Sequence, residues 1–320
     1  MTMRSVQYDG YGGTDVLLLR TEEVPRPGRG QVLVRIHAAA LNPKDVILRA
    51  GRLRIYRIIA GSRFPKRVGF DWSGEALELG AGVSHVRVGD ALYGMIDAWS
   101  AGACATHALV ETGELAPRPA SLSWEQAAAV PLAAMTALQA LRDVARVERG
   151  QRVLVNGASG GVGTFAVQIA KALGARVTAV TSARNAERMR EIGADEVLDY
   201  EKDDLRAKAG QQEVFFDVFG NRSFPFARSL LAASGTYVST VPKGHLLRDT
   251  VLTALRGKRA RLVIVKSRAA DLVTLAGWID QGLVSPIIDR VFPLEEIAAA
   301  EEYLATRRAR GKVVVRMSDG

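Results

Sequence analysis

Val153-Leu-Val-Asn-Gly-Ala-Ser-Gly-Gly-Val-Gly-Thr164 is the stretch that decides the fold of this 320-residue chain. Aliphatic residues form a strand that runs into a glycine-rich turn, and Phe165-Ala-Val-Gln-Ile-Ala-Lys-Ala-Leu173 continues as a helix. Such a turn lets the backbone approach a pyrophosphate while helix-terminal amides point at the anion. A second strand, Arg176–Val180, starts at the distance expected of a βαβ unit. Ala158 stands where the first glycine of a G-x-G-x-x-G fingerprint would be, so the match is A-x-G-G-x-G. The rival reading is a glycine turn with a structural role only.

Outward from this turn, strands and helices alternate between Gln151 and Val265. Strands are expected at Arg152–Asn156, Arg176–Val180, Glu196–Leu198, Val214–Val218, Thr236–Ser239 and Arg261–Val265. Helices fit between them at Gly161–Leu173, Asn185–Ile192, 223–232 and 246–256. This alternation argues for a parallel, doubly wound sheet. The end of its second strand bears on the cofactor. NAD sites place a carboxylate there for the ribose 2′-hydroxyl, but this chain reads Thr181-Ser-Ala-Arg-Asn185, with no acid before Glu187. Ser182 and Arg184 are suited to a 2′-phosphate through charge-assisted hydrogen bonds, which favours NADPH over NADH. The alternative is that Arg184 is a solvated loop residue.

The N-terminal part reads differently. Gln31-Val-Leu-Val-Arg-Ile-His37 alternates as a half-buried strand should, Val68–Leu79 and Asp90–Gly94 read as further strands, and Pro25, Pro27, Gly28, Gly30 and Gly80-Ala-Gly82 punctuate the chain. Ser123-Trp-Glu-Gln126 is a capping-box pattern that opens a long alanine-rich helix expected to reach about Arg146. The tail reads as strand (Pro286–Phe292), helix (Leu294–Arg307) and strand (Lys312–Met317), expected to rejoin the first domain. The domain reading is therefore 1–122, then 123–267, with 268–320 returning to the first.

Composition narrows the function. With 48% hydrophobic and 24% charged residues the chain is an ordinary globular protein. The single Cys104 and the scattered His37, His85, His107 and His245 exclude an internal disulfide and a structural zinc, and make a catalytic zinc unexpected. Met1–Asp9 has no apolar core or cleavage site, and the longest charge-free stretch, Gln126–Leu141, is too short to span a bilayer, so a cytoplasmic protein is expected. The net charge of +9 suits nucleic acid, an acidic protein or an anionic small molecule, or reflects a basic surface alone. An aromatic content of 6% and the lack of a nucleic-acid motif speak against dedicated nucleic-acid recognition.

Together with the glycine turn, Gly30–Val34, Leu41-Asn-Pro-Lys-Asp45, Gly69-Phe-Asp71, Val88-Gly-Asp90, Ala127–Pro131, Gly193-Ala-Asp195, Asp199-Tyr200 and Gly311-Lys-Val313 make the chain resemble the zinc-independent medium-chain dehydrogenase/reductase superfamily, in its quinone oxidoreductase (zeta-crystallin-like) branch. Zinc-dependent relatives carry a Cys where Asn42 stands and Gly-His-Glu in place of Gly69-Phe-Asp71, and their four-cysteine loop has no counterpart here. The resemblance implies an α/β protein: a GroES-like β-rich catalytic domain plus a Rossmann nucleotide-binding domain with a doubly wound parallel sheet. It implies that Ala158, Ser159, Gly160, Gly161 and Val162 line the pyrophosphate, and that Ser182, Arg184 and Tyr200 hold the adenosine end. It places Asn42, Thr136, Phe219, Gly220 and Val241 near the nicotinamide ribose or ring. Two of these have plainer readings: Tyr200 as a tyrosine ending a strand, Asn42 as a cap before Pro43.

Hydride transfer without zinc works mainly by positioning, and suits conjugate addition to an enone or quinone, where charge builds on a remote oxygen. Lys44, Asp45, Tyr93 and His245 are candidates for donor or proton relay, with Tyr93 expected to touch substrate. Lys44 and Asp45 also read as a surface or bracing pair. The tyrosine that many quinone reductases carry shortly after Asn-Pro-x-Asp is replaced by Val46-Ile47-Leu48, so a quinone-stacking role is not transferred there. Arg49, Arg52, Arg54, Arg57, Arg63, Lys66 and Arg67 form a run without acids between Asp45 and Asp71, suited to an acyl thioester or an acidic carrier protein, or simply solvated. The sequence-level expectation is an NADPH-dependent enone or quinone reductase, a homodimer like several such relatives. Its rivals are an enoyl-thioester or natural-product pathway reductase and a non-catalytic NADPH-binding protein.

Overall fold

The computed structural model describes residues 1–52, 64–97 and 102–317. In chain order the first strands are β1 (Thr2–Tyr8), β2 (Leu18–Glu23) and β3 (Gln31–Leu41), followed by helix α1 (Pro43–Arg49). Then come β4 (Lys66–Arg67), β5 (Asp71–Leu79), β6 (Ala91–Met95), β7 (His107–Glu111), β8 (Leu115–Pro117), α2 (Trp124–Ala128) and α3 (Pro131–Leu138). The alternating part holds β9 (Arg152–Asn156), α4 (Gly161–Ala172), β10 (Arg176–Thr181), α5 (Ala186–Glu191), β11 (Glu196–Asp199) and α6 (Leu205–Lys208). It continues through β12 (Gln212–Asp217), α7 (Phe224–Leu230), β13 (Leu231–Ser239), α8 (Gly244–Leu252) and β14 (Arg259–Leu262). The tail is α9 (Ala269–Asp280), β15 (Ile288–Pro293), α10 (Ile297–Ala305) and β16 (Lys312–Arg316).

These elements form two compact units. One comprises Met1–Leu132, Ser267–Asp280 and Pro286–Gly320, the other Ala133–Lys266 and Gln281–Ser285. Thus 123–132, grouped above with the second domain, belong with the first. Ser73 Oγ donates to the Trp124 carbonyl (2.6 Å) and Arg316 pairs with Glu125 (2.7 Å), which anchors α2 there.

The first unit is built on a sheet ordered β15-β16-β3-β5-β6-β8, with β7 also on β3, and a smaller sheet β2-β1-β4. In the tail β16 runs antiparallel to β3 with Val313 opposite Leu41, while Gln281–Ser285 group with the other unit. Its core gathers Val32, Val34 and Ile36 from the alternating strand with Trp72, Leu92, Val313 and Val315. The strand expected from Val68 starts only at Asp71, because Gly69 takes a left-handed φ of +91°. A Cβ at Gly69 would lie 2.6 Å from the Cys104 backbone nitrogen, so only glycine fits.

The second unit is a six-stranded sheet ordered β11-β10-β9-β12-β13-β14, every pairing parallel. This is the doubly wound order, in which the chain builds outward one way from β9 and then crosses to build the other way from β12. Val153, Leu154, Val155, Val214, Phe215 and Phe216 are all buried, as expected for central strands covered on both faces. The long alanine-rich helix is not continuous. Pro131 has no amide to continue the hydrogen bonding of α2, so the chain restarts as α3 and passes into a π-helical turn over Gln139–Val144. The π-turn places Gln139 against the backbone of Lys266, donating to its carbonyl (2.8 Å) and accepting from its amide (3.0 Å). Sequence reading also missed α9, and started β14 two residues late, at Arg261 instead of Arg259.

Candidate active site

In sheets of this order ligands bind at the carboxyl ends of the strands, where the order reverses. Here that point lies between β9 and β12, whose last residues, Asn156 and Asp217, are register partners. The glycine turn leaves β9 at this edge. Gly157 has φ +82°, and its amide and that of Ala158 both donate to the Val180 carbonyl (3.2 and 3.1 Å), tying the turn to β10. A Cβ at Gly163 would collide with the Gly157 carbonyl and lie 2.7 Å from Ala158 Cα, so α4 packs on its own turn only because that position is bare. Gly160 caps α4 without a side chain, leaving the amides of the first turn, at Gly161 and Val162, without intrahelical acceptors. A Cβ at Gly160 would meet nothing nearer than the Gly157 carbonyl at 3.5 Å, so internal packing does not require its bareness. An anion approaching the helix end would use it.

At the end of β10, hydroxyls and amides stand where a carboxylate would serve a ribose diol. Ser159 Oγ accepts from Thr181 Oγ1 (2.9 Å) and Asn185 Nδ2 (3.1 Å). Arg184 lies exposed on the 3-10 turn Ala183–Asn185, its Nε donating to Ser182 Oγ (3.3 Å). Tyr200, half exposed, follows β11 and its amide donates to the Thr181 carbonyl (3.1 Å), which brings it to the same edge as Arg184. Thus Ser159, Ser182, Arg184 and Tyr200, separated in sequence, share one rim.

Beyond β12, Phe219 is half exposed and Gly220 has φ +70°. A Cβ at Gly220 would strike Val241, with Val241 Cβ at 2.7 Å, so these two candidates are in contact. Thr136 is buried on α3. Sequence reading passed over Asp217, fully buried at the end of β12. Its carboxylate accepts from Asn156 Nδ2 (2.7 Å), the Gly220 amide (2.9 Å), the Arg222 amide (2.9 Å) and Tyr237 OH (3.0 Å). The available signal was a carboxylate ending the apolar run Val214-Phe-Phe.

In the first unit, Asn42, Asp45, Asp71 and Lys312 form a buried polar cluster. Lys312 Nζ donates to Asn42 Oδ1 (2.6 Å) and Asp71 Oδ2 (3.0 Å); Asn42 Nδ2 donates to Asp71 Oδ2 (3.0 Å); the Leu132 amide donates to Asp71 Oδ1 (2.7 Å). The Lys312 ammonium pairs with the Asp71 carboxylate. Among the described residues no group of three or more His, Cys, Asp or Glu is placed to hold a metal ion. Asn42 combines its capping place before Pro43 with this network, and its second amide hydrogen faces the Ala40 carbonyl (3.3 Å).

Two catalytic candidates are corrected. Tyr93 is fully buried and its hydroxyl donates to the Leu272 carbonyl (2.6 Å), so it braces α9 and does not face a substrate. Burial, with Asp280 nearby, holds its phenol well above the ordinary range. Asp45 accepts from the amides of Asn42 (2.7 Å) and Gly69 (3.1 Å), which commits it to fixing the start of α1. Burial and the neighbouring Glu301 push its carboxyl up to about 7 against those two hydrogen bonds. Nor do Lys44 and Asp45 form a surface pair: Lys44 Nζ sits 3.9 Å over the Phe70 ring. Lys44 is half buried, and desolvation lowers its pKa against the pull of Asp45, Asp97 and Asp71. It remains the candidate able to move a proton. His245 is exposed at the start of α8.

Of the described members of the basic run, Arg52 is exposed and two are paired within the chain. Arg49 is buried, paired with Glu301 (2.5 Å) and donating to the Gly12 carbonyl (2.6 Å). Arg67 pairs with Glu22 (2.9 Å), and Lys66 lies 5.5 Å from the Phe64 ring centroid. Arg54, Arg57 and Arg63 lie outside the described residues.

Comparison with known proteins bears on the family and the fold. Residues 28–120 match the family described as alcohol dehydrogenase GroES-like domain, and residues 192–315 match that described as zinc-binding dehydrogenase. The mitochondrial NAD(P)H oxidoreductase RTN4IP1 of Mus musculus is 32% identical, the alignment covering 96% of this chain and 87% of that protein. The chloroplastic NADPH-dependent alkenal/one oxidoreductase of Arabidopsis thaliana is 32% identical, over 98% of this chain and 79% of that protein. The solved quinone oxidoreductase from Coxiella burnetii superposes with a TM-score of 0.91 at 30% identity, covering 99% of this chain and 100% of that one.

Proposed function

This chain belongs to the zinc-independent medium-chain dehydrogenase/reductase superfamily, in the quinone oxidoreductase-like branch, and from that premise we propose that it uses NADPH to reduce an enone or quinone. Membership makes it an oxidoreductase with a nicotinamide cofactor. The choice of NADPH is carried by one observation: at the end of β10 the chain presents Ser182 and the exposed guanidinium of Arg184 and no carboxylate. A 2′-phosphate matches that donor set, whereas a ribose diol would lack its acceptor. The glycine cradle fits a pyrophosphate for the steric reasons given above, with Ala158, Ser159, Gly160, Gly161 and Val162 bordering it and α4 directing amides toward it.

The nicotinamide ring, when bound, supplies hydride. Everything else falls to the chain. Ser182, Arg184 and Tyr200 orient the adenosine end; Thr136, Phe219, Gly220 and Val241 shape the other. Lys44 is the catalytic candidate: a half-buried ammonium with a lowered pKa stabilises charge building on a remote oxygen and can deliver a proton to it. Asn42 and Asp45 hold the start of α1, the helix that carries Lys44. The enone or quinone class rests on the names of the relatives. Within the basic run Arg49 and Arg67 pair inside the chain, and the proposal takes a small enone or quinone in place of a carrier-linked substrate. A homodimer is part of the proposal; β14 ends its sheet and offers an edge for pairing. Among the described residues no helix is long and apolar enough to cross a membrane.

Stopped-flow oxidation of NADPH and NADH with a panel of neutral enones and quinones tests the reading. NADPH turnover with either class supports it. Tight NADPH binding without turnover of any member would favour a non-catalytic binding protein.

A further inference from the structure

We propose that Asp217 is a positioning residue that locks the Val218–Arg222 turn in the shape the nicotinamide end of the site needs; this rests on the NAD(P)H reading above. A carboxylate only accepts hydrogen bonds, at about four positions. Asp217 has a donor at each: Asn156 Nδ2 and the Gly220 amide on Oδ1, the Arg222 amide and Tyr237 OH on Oδ2. The Tyr237 proton is shared with the Arg222 carbonyl (2.8 Å), which ties the same turn again. Asn156 reaches Asp217 from across the switch point and also donates to Asn221 Oδ1 (2.8 Å). From the other side, Lys243 Nζ donates to the Gly220 carbonyl (2.6 Å) and Thr240 Oγ1 to the Val218 carbonyl (3.0 Å).

The backbone of this turn is therefore held at both amide and carbonyl, although Phe219 and Asn221 are exposed. Gly220 takes a left-handed φ of +70° with Val241 where a Cβ would lie, so this turn shape is open to glycine alone. No other side chain satisfies this arrangement. Asparagine has the right shape but turns one oxygen into a donor, which would face either the Gly220 or the Arg222 amide and push the turn outward. Displacing groups that position a reacting ring by about 1 Å costs on the order of 10²-fold in rate.

The test is Asp217→Asn in the full chain, with adenosine 2′,5′-bisphosphate as probe of the adenosine end and single-turnover NADPH oxidation as probe of the other. The proposal expects bisphosphate affinity within about twofold of wild type and a hydride-transfer rate about 30- to 100-fold lower. An unchanged rate overturns it. Parallel loss of rate and bisphosphate affinity also overturns it, because that pattern marks a general structural role. Should the variant not fold, amide exchange in the wild-type protein decides: slow exchange at Gly220 and Arg222 supports the lock, and loop-like exchange overturns it. A wild-type protein that binds neither bisphosphate nor NADPH removes the reading beneath the proposal, and the proposal with it.

Discussion

Arg184→Ala isolates the interaction on which the cofactor assignment depends. Arg184 is exposed, and its Nε donates to Ser182 Oγ at 3.3 Å. Removing it therefore costs little stability, within about 0.5 kcal/mol for a surface substitution. The cost to a 2′-phosphate follows from its charge and setting. One charge pair at 4 Å is worth about 1 kcal/mol in bulk water and about 4 kcal/mol at an effective dielectric of 20. An exposed rim lies toward the watery limit, and the phosphate carries nearly two charges, which gives about 2 kcal/mol. At 1.4 kcal/mol per decade, NADPH affinity should fall about 30-fold. NADH has no 2′-phosphate, so its affinity should stay within about twofold. The difference should shrink at high salt, because exposed charges are screened beyond about 8–10 Å at physiological ionic strength. Calorimetric titration of both coenzymes at low and high salt measures all of this. Equal weakening of NADPH and NADH, or no weakening of either, would refute the assignment of the 2′-phosphate to Arg184.

Three further outcomes are expected. Lys44→Met should lower kcat by about 10²-fold with little change in NADPH affinity, since a positioned proton donor contributes about 10²–10⁴; in wild type the rate should decline at alkaline pH, beginning below the ordinary lysine range, as Lys44 deprotonates. Lys312→Met leaves the buried Asp71 carboxylate without its cation, and should cost about 3–5 kcal/mol in denaturant unfolding of the affected unit, part of which Asp71→Asn should restore. The folded-state pKa of Asp45 is raised from 3.8 to about 7, so the folded state binds the extra proton between those values. Its contribution to stability is complete at acid pH and is lost as pH rises toward 7, and Asp45→Asn should flatten the stability–pH curve through that window.

Neighbouring residues made much of the fold legible. Aliphatic strand, glycine turn and helix follow one another without a break over 152–172, so local periodicity was enough to find β9 and α4 and to expect the parallel sheet. Ser182 and Arg184 were nominated from the end of the second strand, and Ser159 and Tyr200 by the resemblance; all four lie at the same edge of the sheet. The long alanine-rich helix failed for a local reason too: Pro131 was visible, but its power to restart the helix was outweighed by composition. Tyr93 and Asp45 failed for a different one. The need for a proton donor nominated them, without a motif, whereas their partners, the Leu272 carbonyl at a separation of 179 residues and the Gly69 amide at 24, carry no sequence mark.

The sequence by itself determined the alternating class, the glycine turn between β9 and α4, the absence of an acid between Thr181 and Asn185, and the single cysteine. These depend on residue type and on spacing within a few turns of chain. Only the tertiary structure decided which polar groups are committed. Lys312 reaches Asn42 across 270 residues, Arg49 meets Glu301 across 252, and Asn156 meets Asp217 across 61. Each pairing is set by strand order and burial. A buried charge must find a partner wherever the fold brings one within about 3 Å, and no local pattern encodes that meeting.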